Sequence, residues 1–433
     1  MATAAGVFDE AAGGEGAAEA RARRVLSESY RDHGARMHAA LVRRVHDFDL
    51  AEDALHEAMI GALESWRVDV PRDPPAWLVR AALNKAIDRI RRSRLDADKR
   101  GELAHEVDAE ASVPESALLG DPFAEDDRLR LMFLCCHPAL PFDARVALTL
   151  RAVSCLSTGE IARAFLVPEA TMAQRIVRAK ARVREAKLPF RTPEPDEMDE
   201  RIDAVLAVVY LVFNEGYAAT AGAELVREDL CVEALRLARL LVDLAPASGP
   251  AAGLRALLLL TDARRAARVD ASGDLVLLED QDRALWNRDA TDRGLAEVAR
   301  AIRLGPARHP YTLQAAIAGV HAQAARSADT DWAQIVGLYE MLLDVAPSSI
   351  VALNHAVAAA MIEGAEAGLG RLDALAEREA ELEREHLFHA ARADLLRKLA
   401  RADEARVAYR RALELAANEA ERRFLSRRLA ELG

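Results

Sequence analysis

The sequence predicts an all-α protein of several domains. Aromatic residues make up only 5% of its 433 residues while Ala, Leu, Arg and Glu crowd the chain, so strand formers are scarce and helix formers abundant. Hydrophobic residues reach 51%, enough to give a core to each of the roughly three domains that this length suggests. An all-β fold and a disordered regulator are excluded.

Along the chain, residues 1–24 are rich in Ala, Gly and Glu. They lack the basic start and continuous apolar stretch of a signal peptide, and are expected to be a disordered tail of a cytoplasmic protein. No apolar run approaches the ~20 residues that cross a bilayer, so no membrane partner is expected. Residues 25–100 read as several helices, with Leu83, Ile87 and Ile90 at helical spacing after a break at Asp73-Pro74-Pro75. Residues 101–127 carry Pro114, Gly120 and Pro122, hold nine acids and no Lys or Arg, and are expected to form a flexible acidic linker.

Residues 128–191 form a second small helical unit. Ser157-Thr158-Gly159-Glu160 is a capping box, Val167-Pro168-Glu169 a turn with Pro at the first helical position, and Thr171 to Ala186 a basic helix. Helix, short turn and basic helix is the order of a helix-turn-helix. Beyond, residues 192–433 read as helices with short joints and a weak repeat: Leu241 to Pro246 returns as Leu343 to Pro347, and Ala412 to Ala416 echoes the same ending. The spacing suits an irregular array of helix pairs of tetratricopeptide kind, with a break at 269–290.

Charge is uneven. The net charge of −12 hides two basic islands, 77–100 with eight Lys/Arg against three Asp/Glu and 128–191 with twelve against four. Residues 192–433 carry 40 acids against 29 bases, so this part suits either the basic helix-turn-helix or a basic partner. Four cysteines, two of them adjacent at Cys135 and Cys136, make no disulfide framework; lacking paired spacing they read as reduced, buried helix residues without metal. No phosphate loop, metalloprotease helix or nucleophile elbow is present, so no cofactor and no catalysis are expected.

Three motifs carry the functional reading. Asp49, Glu52, Asp53 and Glu57 share one helical face, which is either a solvated stripe or a dock for a basic helix. Pro75 to Arg92 is amphipathic, with Arg80, Asn84, Lys85, Arg89, Arg91 and Arg92 able to reach phosphates or unstacked bases, and Trp77 either core or stacking platform. In the third, Met172, Ile176 and Val183 face inward, leaving Gln174, Arg175, Arg178 and Arg182 outward; Arg and Gln are side chains that read guanine and adenine edges in the major groove.

In this order the motifs resemble regions 2 and 4 of a bacterial RNA polymerase sigma factor of the extracytoplasmic-function group. Asp49-Leu50-Ala51-Glu52-Asp53-Ala54-Leu55, Pro75-Ala76-Trp77-Leu78 and Ala86-Ile87-Asp88-Arg89 are similar to region 2, and Phe165 to Arg175 to region 4 of a subgroup with a long C-terminal tetratricopeptide-like extension. Phe213-Asn214-Glu215-Gly216-Tyr217, Leu277 to Arg283 and His389 to Leu396 resemble stretches of that extension.

The resemblance implies two small helical sigma domains, at 25–100 and 128–191, followed by the extension. It implies that Asp49, Glu52, Asp53 and Glu57 dock on the β′ clamp helices of core polymerase, with the β subunit a further partner. Trp77, Arg80, Asn84, Lys85, Arg89, Arg91 and Arg92 would take the minus-ten element. Thr171, Gln174, Arg175, Arg178 and Arg182 would take the minus-thirty-five element. The linker would thread polymerase near the RNA exit path, and the extension would control activity by answering a protein or small-molecule regulator. Two other readings stand beside this one: a helix-turn-helix regulator with a repeat-type sensor, which leaves residues 49–92 unexplained, and a repeat scaffold, which explains 193–433 alone.

Overall fold

The computed structural model describes residues 5–99, 127–165, 167–219 and 225–432. Nearly all of the expected linker, 101–126, therefore lies outside the described residues, as do residues 1–4 and Leu166 of the region 4 motif. Among the described residues the architecture is helical throughout, apart from one isolated antiparallel bridge between Val269 and Leu275. No helix among them is long and apolar enough to cross a membrane. The chain forms two compact units, Met1–Val208 and Val209–Gly433.

The first unit begins with α1 (Ala5–Val45), α2 (Phe48–Ser65) and α3 (Pro74–Lys99), which pack on one another. Leu41, Leu55, Trp66, Leu78 and Val79 are buried. Asp47 opens α2 by accepting the Leu50 N–H at 2.9 Å, and Asp73 accepts the Ala76 N–H at 3.0 Å, so the Asp-Pro-Pro break is the cap of α3. The disordered tail expected for residues 1–24 is corrected from Ala5 onward, where α1 starts. Ala22 is fully buried and Glu19 pairs with Arg67 at 3.1 Å. The Ala- and Glu-rich composition favours helix despite its glycines, and tertiary contact holds the part nearest the core.

Four shorter helices follow: α4 (Arg128–Cys135), α5 (Phe142–Ala152), α6 (Thr158–Ala164) and α7 (Glu169–Glu185). The capping box forms, with Glu160 accepting the Ser157 N–H at 2.7 Å and Ser157 Oγ accepting the Glu160 N–H at 3.2 Å. Pro168, expected at the first helical position, is instead the cap of α7, and the helix begins one residue later at Glu169. Met172, Ile176, Ala179 and Val183 form the buried stripe of α7. Asp127, at the end of the expected linker, is buried and pairs with Arg43 of α1 at 2.7 Å. Cys135 and Cys136 are buried, and burial pushes the Cys136 thiol up to about 11.

Helix α8 (Met198–Tyr217) begins in this unit. Arg201, buried, donates to the Phe133 carbonyl at 2.6 Å and lays its guanidinium 5.9 Å from that ring. An edge at 191/192 leaves this residue out, because Pro193 signals a break in the chain and says nothing of a side chain returning to α4.

The second unit continues with α9 (Glu228–Leu244), α10 (Gly249–Asp262), α11 (Arg288–Leu304), α12 (Pro310–Gln323) and α13 (Trp332–Val345). It ends with α14 (Ser349–Glu363), α15 (Ala365–Ala376), α16 (His386–Lys398), α17 (Ala402–Leu415) and α18 (Glu419–Ala430). The echoed endings close α9, α13 and α17, and each is followed by a cap for the next helix. Ser248, Ser348 and Asn418 accept the N–H groups of Ala251, Val351 and Ala420. The segment 269–290 holds the isolated bridge and a 3₁₀ turn, Arg283–Leu285, before α11 takes over.

Gly216 lets α8 meet the start of α9, since a Cβ there would lie 2.7 Å from the Cys231 amide nitrogen and 2.9 Å from Leu230 Cβ. The backbone cannot yield cheaply, so Gly216→Ala is expected to lower stability by about 1–3 kcal/mol in denaturant unfolding. Gly61→Ala, where a Cβ meets nothing within 4 Å, is expected to leave stability unchanged or raise it. Equal behaviour of the two variants would refute the close-approach argument.

Candidate nucleic-acid interface

The four acids of α2 share a face as their spacing predicts, and the fold surrounds that face with cations of this same unit. Glu52, only 12% exposed, accepts from Arg151 Nε of α5 at 2.7 Å and contacts Lys180 Nζ of α7. Asp49 takes Arg184 of α7 at 3.0 Å and Lys180 at 3.4 Å. Asp53 pairs with Arg89 of α3 at 2.9 Å, and Glu57 contacts the same guanidinium with Lys85 at 3.8 Å. Burial by itself would raise the Glu52 carboxyl; Arg151 and Lys180 outweigh it and bring its pKa down to about 2. Arg151, Lys180 and Arg184 were absent from the predicted site, and opposite charge on two separate helices was the sequence signal for them.

The same junction brings α1 against the joint that precedes α6. A Cβ on Gly34 would lie 2.3 Å from Cys155 Sγ, so the close approach requires glycine there. Beside the ion pairs a cavity of about 310 Å³ remains, lined by Phe48, Asp49, Lys180, Arg184 and Phe190 among others. Much of this contact is ionic and incompletely packed, unlike the dry cores on either side.

Helix α3 sorts its predicted residues onto two faces. Lys85 and Arg89 turn toward α2 and its acids. Trp77, Arg80, Asn84 and Arg91 fall on another stripe by helical spacing. Arg80, Asn84, Arg91 and Arg92 are exposed. Trp77 is half-buried with its ring edge-on to buried Trp66, centroids 5.5 Å apart, so it is both part of the packing and accessible at its rim.

On α7, Thr171, Gln174, Arg178 and Arg182 are exposed, while Arg175 is partly covered and reaches Asp143 at 3.9 Å. Thr171, Gln174, Arg175, Arg178 and Arg182 lie along the side left free by the buried stripe. Lys180 and Arg184 lie on the flank that meets α2. Polar and cationic side chains on an exposed helix after a capped helix and tight turn suit a major groove.

Residues 29–95 match the family described as Sigma-70 region 2, and residues 130–183 match Sigma-70, region 4. The RNA polymerase sigma-H factor of Pseudomonas aeruginosa is 32% identical over 161 residues, which cover 35% of this chain and 79% of that factor. The chain belongs to the sigma-70 family. It is a sigma factor of extracytoplasmic-function type, acting in promoter-specific transcription, and its two domains imply binding to core RNA polymerase and promoter DNA. Its C-terminal part matches, over residues 201–302, a family of unknown function (DUF6596). An uncharacterized protein of Rhizobium meliloti (strain 1021) is 48% identical to the sigma factor over 396 residues, 91% of this chain and 92% of that one.

A Glu52 pKa near 2 in the fold, against 4.5 ordinarily, amounts to about 3 kcal/mol of stability. The depressed value places that contribution above pH 4.5, and it is lost as pH falls from there toward 2. Glu52→Gln is expected to lower neutral-pH stability by about that amount and to flatten the acid limb of a pH–stability curve for the sigma factor. Parallel curves for variant and parent would show that Glu52 is not the titrating group.

Proposed function

We propose that this sigma factor docks on core polymerase through Asp49, Glu52, Asp53 and Glu57 of α2. In the same reading, Trp77, Arg80, Asn84 and Arg91, with Arg92, engage the minus-ten element. The exposed side of α7, Thr171, Gln174, Arg175, Arg178 and Arg182, engages the minus-thirty-five element. Lys85 and Arg89 set the acids of α2 in place and are partly spent on them in the free protein. One observation carries the reading: the acidic face is occupied by Arg151, Lys180 and Arg184 of the helix-turn-helix unit. The free protein is thus closed on itself, and polymerase competes for the acids by offering cations of its own. Exposed ion pairs contribute little each and are screened by salt, so such a contact can be exchanged for another.

Opposite charge changes separate this from a merely structural face. Asp53→Lys is expected to weaken binding to core polymerase by about tenfold, or about 1.4 kcal/mol. The double variant Lys180→Ala, Arg184→Ala is expected to strengthen it, because it removes two of the three internal competitors and touches no proposed DNA contact. Fluorescence anisotropy with labelled factor measures both; an unchanged affinity in folded variants would argue against the docking face.

We also infer that Val209–Gly433 controls the sigma module. The acidic balance of residues 209–433, 34 acids against 28 bases, supports this, as does a relative aligned over 92% of its own length, extension included. Truncation after Val208 retains Arg201 and its bond to Phe133. It is expected to change output from a target promoter several-fold, in one direction or the other, in transcription with purified polymerase. A folded truncated protein with the output of the full chain, with and without cell extract, would end this reading.

A further inference from the structure

The second unit holds a cavity of about 670 Å³ among α8, α10, α12, α13 and α14. An adjoining one of about 290 Å³ shares Leu278, His321, Tyr339 and Asn354 with it. Three stretches that resemble parts of the sigma subgroup's extension, far apart along the chain, converge here. Phe213, Asn214 and Tyr217 line the larger space, Leu278 lies between the two, and Leu277, Glu279 and Asp394 line the smaller.

The charge in this cavity is unbalanced. Arg264 lines it, and no carboxylate of the described residues forms an ion pair with Arg264 or with Arg268; the Nε of each is buried without an acceptor. Both guanidiniums lie against the Tyr217 ring, at 5.8 and 4.3 Å from its centroid. Next in sequence, Arg265 pairs with Glu228 at 2.9 Å and Asp262 at 3.3 Å, so acids are supplied to that arginine and withheld from its neighbours. Arg283 behind them is spent on the carbonyls of His321 and Ala324. Burial first, then Arg264 and Arg283, holds the His321 imidazole down to about 4, which leaves it neutral.

A guanidinium whose Nε is buried without an acceptor is costly to leave unpaired, and a carboxylate on its planar fork is the partner that relieves it. The volume fits a small molecule, not a protein segment, and Tyr210, Phe213, Tyr217 and Tyr339 line it with aromatic surface for its body. Only one arginine lines the larger cavity, too few cations for a phosphate-rich ligand.

We propose that this cavity binds a small organic monocarboxylate with an aromatic or apolar body, its carboxylate on Arg264 and its body against the four rings. The site is an input to promoter output only on the reading that Val209–Gly433 controls the factor. The binding test below contains no polymerase, so its failure is separate from a failure of the truncation experiment.

The full-length protein is titrated with 4-hydroxyphenylacetate and indole-3-acetate, and with the primary amide of each, followed by saturation-transfer NMR on the ring protons. At least one acid is expected to bind about tenfold or more tightly than its amide. Arg264→Gln is expected to remove that preference, whereas Arg239→Gln, on an exposed arginine away from the cavity, keeps it. The comparison of acid with amide needs no variant and stands if Arg264→Gln fails to fold. Binding by neither acid, equal binding of acid and amide, or parental affinity in folded Arg264→Gln would overturn the proposal.

Discussion

A carboxylate taken out of water must be paired or protonated, and Glu52 is the residue on which this requirement falls hardest. With 12% exposure it stays ionised only because Arg151 and Lys180 come to it from two helices of the helix-turn-helix unit. Those cations are as constrained as the acid: Lys180 is itself 14% exposed and lies 5.8 Å over the Phe48 ring. The arrangement of α5 and α7 against α2 is thus set by charge, with the close approach of Gly34 to Cys155 making room for it. Removing one side alone leaves an unpaired buried charge, so any partner that opens the junction must bring replacement cations to α2.

Local chemistry was legible in the sequence. The capping box at Ser157–Glu160 is written in a few adjacent residues and forms as read, whereas Asp73-Pro74-Pro75, read only as a break, and the echoed endings, read only as a repeat, prove to lie where one helix closes and the next is capped. The buried stripe of α7 follows from its 3.6 period. Pairing across long separations was not legible. Glu52 and Arg151 are 99 positions apart and Asp49 and Arg184 are 135 apart, distances over which no periodicity speaks. The beginning of α1 was missed for a different reason: glycines at 13, 14 and 16 weigh against helix locally, whereas Ala22 and Glu19 are held by contacts with the rest of the unit.

The acids of α2 are not equivalent, although a helical wheel makes them so. Asp53 and Glu57 meet cations of the neighbouring α3, part of the same three-helix packing, and would stay paired if the helix-turn-helix unit departed. Asp49 and Glu52 meet only cations of that unit in the ion pairs described. Opening therefore exposes one half of the face and leaves the other half intact. In the proposed docking, the half that is uncovered would include Glu52, the group that most needs cations once the internal contact is lost.

The second unit solves a different problem with the same residue types. At the junction of the first unit Arg151 and Arg184 are matched to acids, and where a guanidinium is buried, as in Arg201, a backbone carbonyl and a ring face receive it. Arg264 and Arg268 have a ring face and no acid, and Arg264 lines the cavity of this unit. Filling that space with apolar side chains would strand the charge, which is why an Ala- and Leu-rich array able to pack densely elsewhere keeps an opening here. The three stretches meet at that opening and the smaller cavity that adjoins it, although they lie in different helices and joints. The segment 269–290, which interrupts the helical array, places Leu278 between the two cavities and Leu277 on the smaller one, so the wall of this space comes from the irregular joint as well as from the stacked helices.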